Sequence, residues 1–229
     1  PVHDPTLWWL ADRYDIPQAA AYEDRFAKGG VLGLLWAPSE PIRETPPPPT
    51  RDTYFRHAEV VSLRTAWEDP QAWFVALKAG DNQFNHANLD LGTFVLEAFG
   101  ERWAVDHGKE DYGVPGYWSR RRDDAPRWTY YRMRAEGHNT LVVAPGEGVA
   151  DQVYHARCRV TQFHSTDAEA GASLDLTDAY RHGAGRVVRT FAFDRREPSL
   201  RIRDEIRVNE PADCWWFMHT DAECEIADD

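Results

Sequence analysis

LRIRDEIRV (Leu200–Val208) decides the fold class. Leu200, Ile202, Asp204, Ile206 and Val208 point one way, while Arg201, Arg203, Glu205 and Arg207 point the other. That period of two is the pattern of a β-strand with one solvated face. Working outward, strands are predicted at Val187–Phe193, Ser173–Leu176, Arg157–His164, Asn139–Val143 and Cys214–His219. Further back, Thr93–Phe99 places Phe94, Leu96 and Ala98 on one face, and Gly100-Glu101 turns it into Trp103–Asp106. Ala72–Ala79 is nearly continuous in apolar residues, the pattern of a strand buried on both faces. Many short strands with no helix between them predict a mainly β protein built as a large antiparallel β-sandwich.

The first forty residues read differently. Leu7, Trp8, Leu10 and Ala11 fall at helical spacing, and Gln18–Lys28 is rich in helix formers before Gly29-Gly30. Two short helices cannot enclose a core by themselves, so they read as the tail of a larger helical domain or as a flap. Pro46–Pro49 is a stiff polyproline spacer. The organisation predicted is a helical segment over 1–45, a Pro-rich linker over 46–52 and the sandwich over 53–229. The chain opens at Pro1 without Met and with no secretory signal, as expected of a piece of a longer protein.

With 229 residues the chain can bury a sizeable core, and no apolar run is long enough to span a bilayer. A net charge of −12 excludes a general nucleic-acid binder or an anionic-membrane binder. Only Lys28, Lys78 and Lys109 are lysines; the other cations are Arg, the side chain suited to bidentate contacts with carboxylate or sulfate. Cys158, Cys214 and Cys224 show no metal spacing, and one bridge to Cys214 is open.

The densest polar cluster is Gly80–Asp90, GDNQFNHANLD, between two apolar strands. A loop held at both ends by rigid elements can aim side chains accurately. Read from composition alone, it is a polar loop whose Asp and Asn residues bond their own backbone.

Resemblance changes that weighting. NHANLDLGTFVLEAFGERWAVDHGKEDYGVPGYW (Asn85–Trp118) and RWTYYRMRAEGHNTLVV (Arg127–Val143) resemble the carboxyl-terminal domain of heparinase II/III-type polysaccharide lyases. Three motifs coincide in order: an NHxHLDxGxF-like segment, a GexWaxDxGxxxY stretch and an HNTL strand. The resemblance implies an incomplete α/α toroid followed by an antiparallel sandwich, with the active site between them. Pro1–Glu40 is then the last turn of the toroid. The catalytic Tyr and the substrate-neutralising Asn or His of the family belong to its missing part.

The implied reaction is β-elimination on a uronic acid. It removes the C5 proton, acidified when the C6 carboxylate is neutralised, and protonates the departing O4. An imidazole can serve as base or proton donor at neutral pH. By resemblance that imidazole is His86, with Asn85 orienting it or touching substrate and Tyr112 assisting proton transfer. Tyr117 and Trp118 are the expected sugar-stacking rings. Arg120 and Arg132 stand in an Arg-rich stretch expected to form a positive rim for an anionic polysaccharide; Arg120–Pro126 reads as a mobile loop. Family members that hold zinc do so at positions matching Asn88, Asp106 and His138. Asn is a poor zinc ligand, so an Asp106–His138 pair is favoured over one structural zinc. His219 receives no role.

The function expected is therefore a polysaccharide lyase acting on uronic-acid polymers, this chain being mainly its C-terminal domain and inactive alone. It would work with the missing toroid domain and be periplasmic or secreted, as the family usually is. The alternative is a non-catalytic carbohydrate-binding sandwich.

Overall fold

The structure, a computed structural model, describes residues 4–26, 30–39, 50–146 and 151–225. The chain divides into two compact units, Pro1–Thr50 and Arg51–Asp229. In the first, α1 (Thr6–Tyr14), α2 (Pro17–Phe26) and α3 (Val31–Trp36) pack around Trp8 and Ala11. Helix α1 stops at Asp15, whose left-handed backbone returns its N–H to the Ala11 carbonyl. Helix α3 was visible in the sequence only as a short apolar run; it passes Trp8 at Gly33, where an added Cβ would stand 3.3 Å from the indole. The expected stop at Gly29 and the polyproline spacer at 46–49 lie outside the described residues.

The second unit is the β-sandwich. One sheet has the order β1 (Thr53–Phe55), β2 (Val60–Arg64), β3 (Phe74–Lys78), β5 (Phe94–Ala98), β6 (Glu101–Ala104). The other runs β11 (Ser199–Val208), β10 (Ala184–Asp194), β9 (Glu169–Asp175), β8 (Arg157–Ser165), β4 (Gly80–Asp81). Strands β7 (Leu141–Val143) and β12 (Cys214–Trp216) form a separate pair, and every pairing is antiparallel. Between the sheets lie Val61, Leu63, Val75, Leu77, Phe94, Leu174, Phe191 and Phe193, all buried. Each such side chain contributes about 1.5–3 kcal/mol relative to exposure.

Two readings need correction here, the burial of β3 and the bridge left open to Cys214. Strand β3 is not buried on both faces: Val75 and Leu77 are, but Phe74, Ala76 and Lys78 are only half-buried. The apolar run misled because Phe74 is covered by a cation, the Arg64 guanidinium 4.6 Å from its ring centre. Strand β11 alternates as predicted, but its apolar face is half-buried, because β11 is the edge of its sheet. Its inward Asp204 forms a bidentate pair with buried Arg189, at 2.7 and 2.9 Å. The three cysteines are free, with Cys158 buried and the others exposed, so there is no bridge to Cys214. Among the described residues no helix is long and apolar enough to cross a membrane.

Candidate active site

The Gly80–Asp90 loop begins on β4, hydrogen-bonded to β8, and is fixed from inside. Fully buried Asn82 donates to the Val153 carbonyl at 3.0 Å. Gln152 accepts from the Leu91 N–H and donates to the Leu91 carbonyl, at 3.0 and 2.8 Å, closing the loop's far side. Asp81 accepts from the Gln83 N–H at 2.7 Å, an Asx turn of the kind its composition suggested. Lys78 pairs with Asp90. Below lies a second, smaller core of Leu89, Tyr117, Ala125, Trp128, Met133 and Tyr154.

His86 stands at the crest of this loop, exposed, with φ of 60°. A residue with a Cβ in the left-handed region carries strain of about 1 kcal/mol, which persists only where the surroundings impose it. Its neighbours hold the ring. Tyr112 lies 5.5 Å away at 30° and Trp118 5.8 Å away, edge to face. Tyr112 and Trp118 are themselves 5.5 Å apart, and both are substantially exposed, Trp118 by 60%. The imidazole thus sits in a corner walled by two aromatic rings and open to solvent. Asn85 beside it is exposed.

Tyr117 is not part of that open surface. It is buried beneath the corner, with Arg127 over its ring at 4.1 Å, and it packs on both Tyr112 and Trp118. Its role is support, and the expectation of a sugar-stacking ring at this position is corrected.

The positive rim contracts as well. Arg127 is 1% exposed. Its guanidinium donates to the carbonyls of Tyr117 and Ala87, at 3.1 and 3.0 Å, so one side chain ties the aromatic segment to the histidine loop. Arg134 is taken up by Asp151 and Glu136, and Arg122 by Asp124. Arg120 remains beside the site, donating to the Phe84 carbonyl at 2.8 Å. Exposed Arg132 donates to the Lys109 carbonyl at 3.2 Å, and the Lys109 ammonium lies 4.8 Å from the Tyr112 ring centre. The Arg120–Pro126 loop is anchored: the Arg122 carbonyl accepts from the Trp128 indole at 2.9 Å and the Asp123 carboxylate from the Tyr154 N–H at 2.7 Å.

Asp106 and His138 form a pair, Nδ1 to Oδ2 at 2.9 Å, with the imidazole buried and the carboxylate a third exposed. The His138 hydrogen bond holds the Asp106 carboxyl below the usual range, against the opposing effect of burial. The other ring nitrogen of His138 faces the Arg132 carbonyl at 3.1 Å. Its two nitrogens are thus taken up by a carboxylate and a backbone carbonyl. Asn88, the third position implied by resemblance, gives its amide oxygen to Arg127 at 3.3 Å. Among the described residues no three of His, Cys, Asp and Glu gather as a metal site. These residues do not fit a zinc ion.

Sequence reasoning missed a neighbouring group. The Tyr131 hydroxyl meets Nε2 of His219 at 2.7 Å, Nδ1 of His219 meets Oδ1 of Asn139 at 3.1 Å, and the His107 ring lies 4.5 Å from the His219 ring. Gly137 makes this possible, because an added Cβ would sit 2.0 Å from the Tyr131 carbonyl oxygen. The GHNTL stretch was the available signal, but its spacing says nothing of a histidine eighty residues on.

The sequence profile of the heparinase II/III-like C-terminal family matches residues 47–229. Among solved structures, heparan sulfate lyase HepC from Pedobacter heparinus superposes with a TM-score of 0.65 at 17% identity, covering 95% of this chain and 30% of that one. A heparinase III gene product gives 0.64 at 18% identity, covering 94% and 31%. A further heparinase III crystal structure gives 0.56 at 15% identity, covering 90% and 29%. At these identities the likeness is one of fold, and the chain spans about three-tenths of the length of each. No curated protein sequence matches it. The chain, an antiparallel sandwich bearing the HNTL strand and an exposed histidine at its inter-strand crest, belongs to the heparinase II/III-like C-terminal domain family.

Proposed function

We propose that this chain is the C-terminal part of a polysaccharide lyase that cleaves uronic-acid polymers by β-elimination. On this reading residues 1–45 are the tail of a helical toroid, 46–52 a linker and 53–229 the sandwich wall of the active-site cleft. The observation that carries the proposal is the His86 imidazole, exposed, conformationally strained and walled by Tyr112 and Trp118. An imidazole so placed can exchange a proton with a sugar oxygen or carbon near neutral pH. Tyr112 assists, Trp118 stacks on a sugar ring, and Asn85, Arg120 and Arg132 meet the acidic substituents. The solved relatives named for heparan sulfate and heparin cleavage support the substrate class. Export from the cytoplasm, to the periplasm or beyond, belongs to the same proposal, because such polymers lie outside the cell.

The test is formation of unsaturated uronate ends, followed by their ultraviolet absorbance, on heparin, heparan sulfate, chondroitin sulfate, alginate and glucuronan. The protein carrying its toroid should turn over at least one of them, and His86→Ala should abolish it. The 229-residue chain alone should be inactive, because it lacks the toroid's groups. No absorbance change on any polymer defeats the proposal. The second reading, a non-catalytic carbohydrate-binding sandwich, draws on the exposure of Trp118. It expects polysaccharide binding that Trp118→Ala removes and His86→Ala leaves intact.

A further inference from the structure

Tyr131, His219 and Asn139 form a hydrogen-bonded chain whose direction is argued from the buried Asn139 amide. The Asn139 amide nitrogen donates to the carbonyls of Phe94 and Val105, at 2.8 and 2.9 Å. That fixes which end of the buried amide is oxygen, and the oxygen accepts the His219 backbone N–H at 2.6 Å. The same oxygen faces Nδ1 of His219, so Nδ1 carries the hydrogen. In the neutral ring Nε2 then presents a lone pair, and the group it presents it to is the Tyr131 hydroxyl at 2.7 Å. Burial, with His107 and His138 nearby, lowers the His219 pKa and favours that neutral form, against the Glu136 backbone and Asp106. Tyr131 is 47% exposed and its hydroxyl meets a base, while burial and the Glu136 charge raise its own pKa, so the relay depends on His219 to take the proton.

A hydroxyl, a base and a group orienting that base, in hydrogen-bonded sequence, is the arrangement that activates oxygen acids in enzymes. We propose that Tyr131 is a second proton-transfer group of the sandwich, separate from His86, in which His219 and Asn139 relay and orient. In the step, a substrate proton passes to the Tyr131 oxygen as the Tyr131 hydroxyl proton passes to Nε2 of His219. The electron pair of the broken bond stays on the substrate, and the imidazolium formed is held through Nδ1 by the Asn139 oxygen. The substrate we assign is an acidic sugar, its proton the one on the carbon bearing the carboxylate. That assignment rests on the uronate reading above; the relay does not. The His107–Tyr112 segment runs from this group to the His86 corner, where the Lys109 ammonium lies over the Tyr112 ring.

The relay is tested on the chain itself with an aryl sulfonyl fluoride. Sulfur–oxygen bond formation at Tyr131 expels fluoride while the phenolic proton goes to His219. Mass spectrometry should find Tyr131 modified about tenfold faster than exposed Tyr14, with His219→Gln removing the advantage and leaving the Tyr14 rate unchanged. Because His219→Gln can perturb folding, nitrogen NMR of the unaltered protein is the second measurement. Nε2 of His219 should be unprotonated at neutral pH, and its resonance should move in Tyr131→Phe. Labelling no faster than at Tyr14, or a protonated Nε2, overturns the relay whatever the polysaccharide panel shows. Fast, His219-dependent labelling with no uronate turnover supports the relay and overturns the substrate assigned to it. Where turnover is found, Tyr131→Phe should lower kcat about tenfold or more with KM little changed; an unchanged kcat overturns the catalytic role.

Discussion

Replacing His86 by Gly and, separately, by Ala separates what its backbone stores from what its ring does. Both changes delete the ring and its contacts with Tyr112 and Trp118, about 0.5 kcal/mol each at so exposed a position. Only Gly also relieves the left-handed backbone at φ 60°, a gain of about 1–2 kcal/mol. Against this stands the greater freedom of Gly in the unfolded chain, which costs about 0.5–1 kcal/mol. The Gly variant should therefore be about as stable as the parent, and the Ala variant about 1 kcal/mol less stable than Gly. In a helix or strand the order would be reversed. For a sandwich of this size the difference amounts to about 3 °C in Tm, well resolved by calorimetry or by the denaturant midpoint at constant slope. Both variants should be equally dead in any assay that needs the imidazole. An Ala variant as stable as Gly, or more so, refutes the strained crest and with it the argument that the fold imposes the orientation of this ring.

Three further outcomes are expected. Arg127→Leu strands the buried carbonyls of Tyr117 and Ala87 and should cost about 3 kcal/mol in denaturant unfolding, with Arg127→Lys recovering only part because an ammonium cannot fork to both. Burial pushes the Cys158 thiol up to about 12, and partial burial beside Asp213 raises Cys214, so alkylation near pH 8 should label Cys224 first, Cys214 more slowly and Cys158 only after unfolding, as peptide mass mapping would report. The Asp106 carboxyl is lowered in the folded state by its His138 hydrogen bond, so it contributes stability above the unfolded carboxylate pKa of about 4. That contribution is lost as pH falls through the lower folded value, and the acid limb of a stability–pH curve should flatten in Asp106→Asn.

The period of two in Leu200–Val208, the closely spaced strand patterns and the helical first forty residues were enough for the fold class, because alternation reflects a local backbone geometry that every residue shares. The histidine loop was legible for a related reason: a polar run between two apolar strands has to be a surface crest. What chain order left open was which cations and rings are spent inside. Arg127 lies in the same short stretch as Arg120 and Arg132, yet it is buried as a clamp while they stay at the surface; Tyr117 and Trp118 are adjacent, yet one supports and the other is exposed. Likewise, nothing local joins Tyr131 to a histidine 88 positions away. Those outcomes depend on which buried carbonyls need a donor and which rings meet across loops, and such needs exist only once distant segments have been brought together.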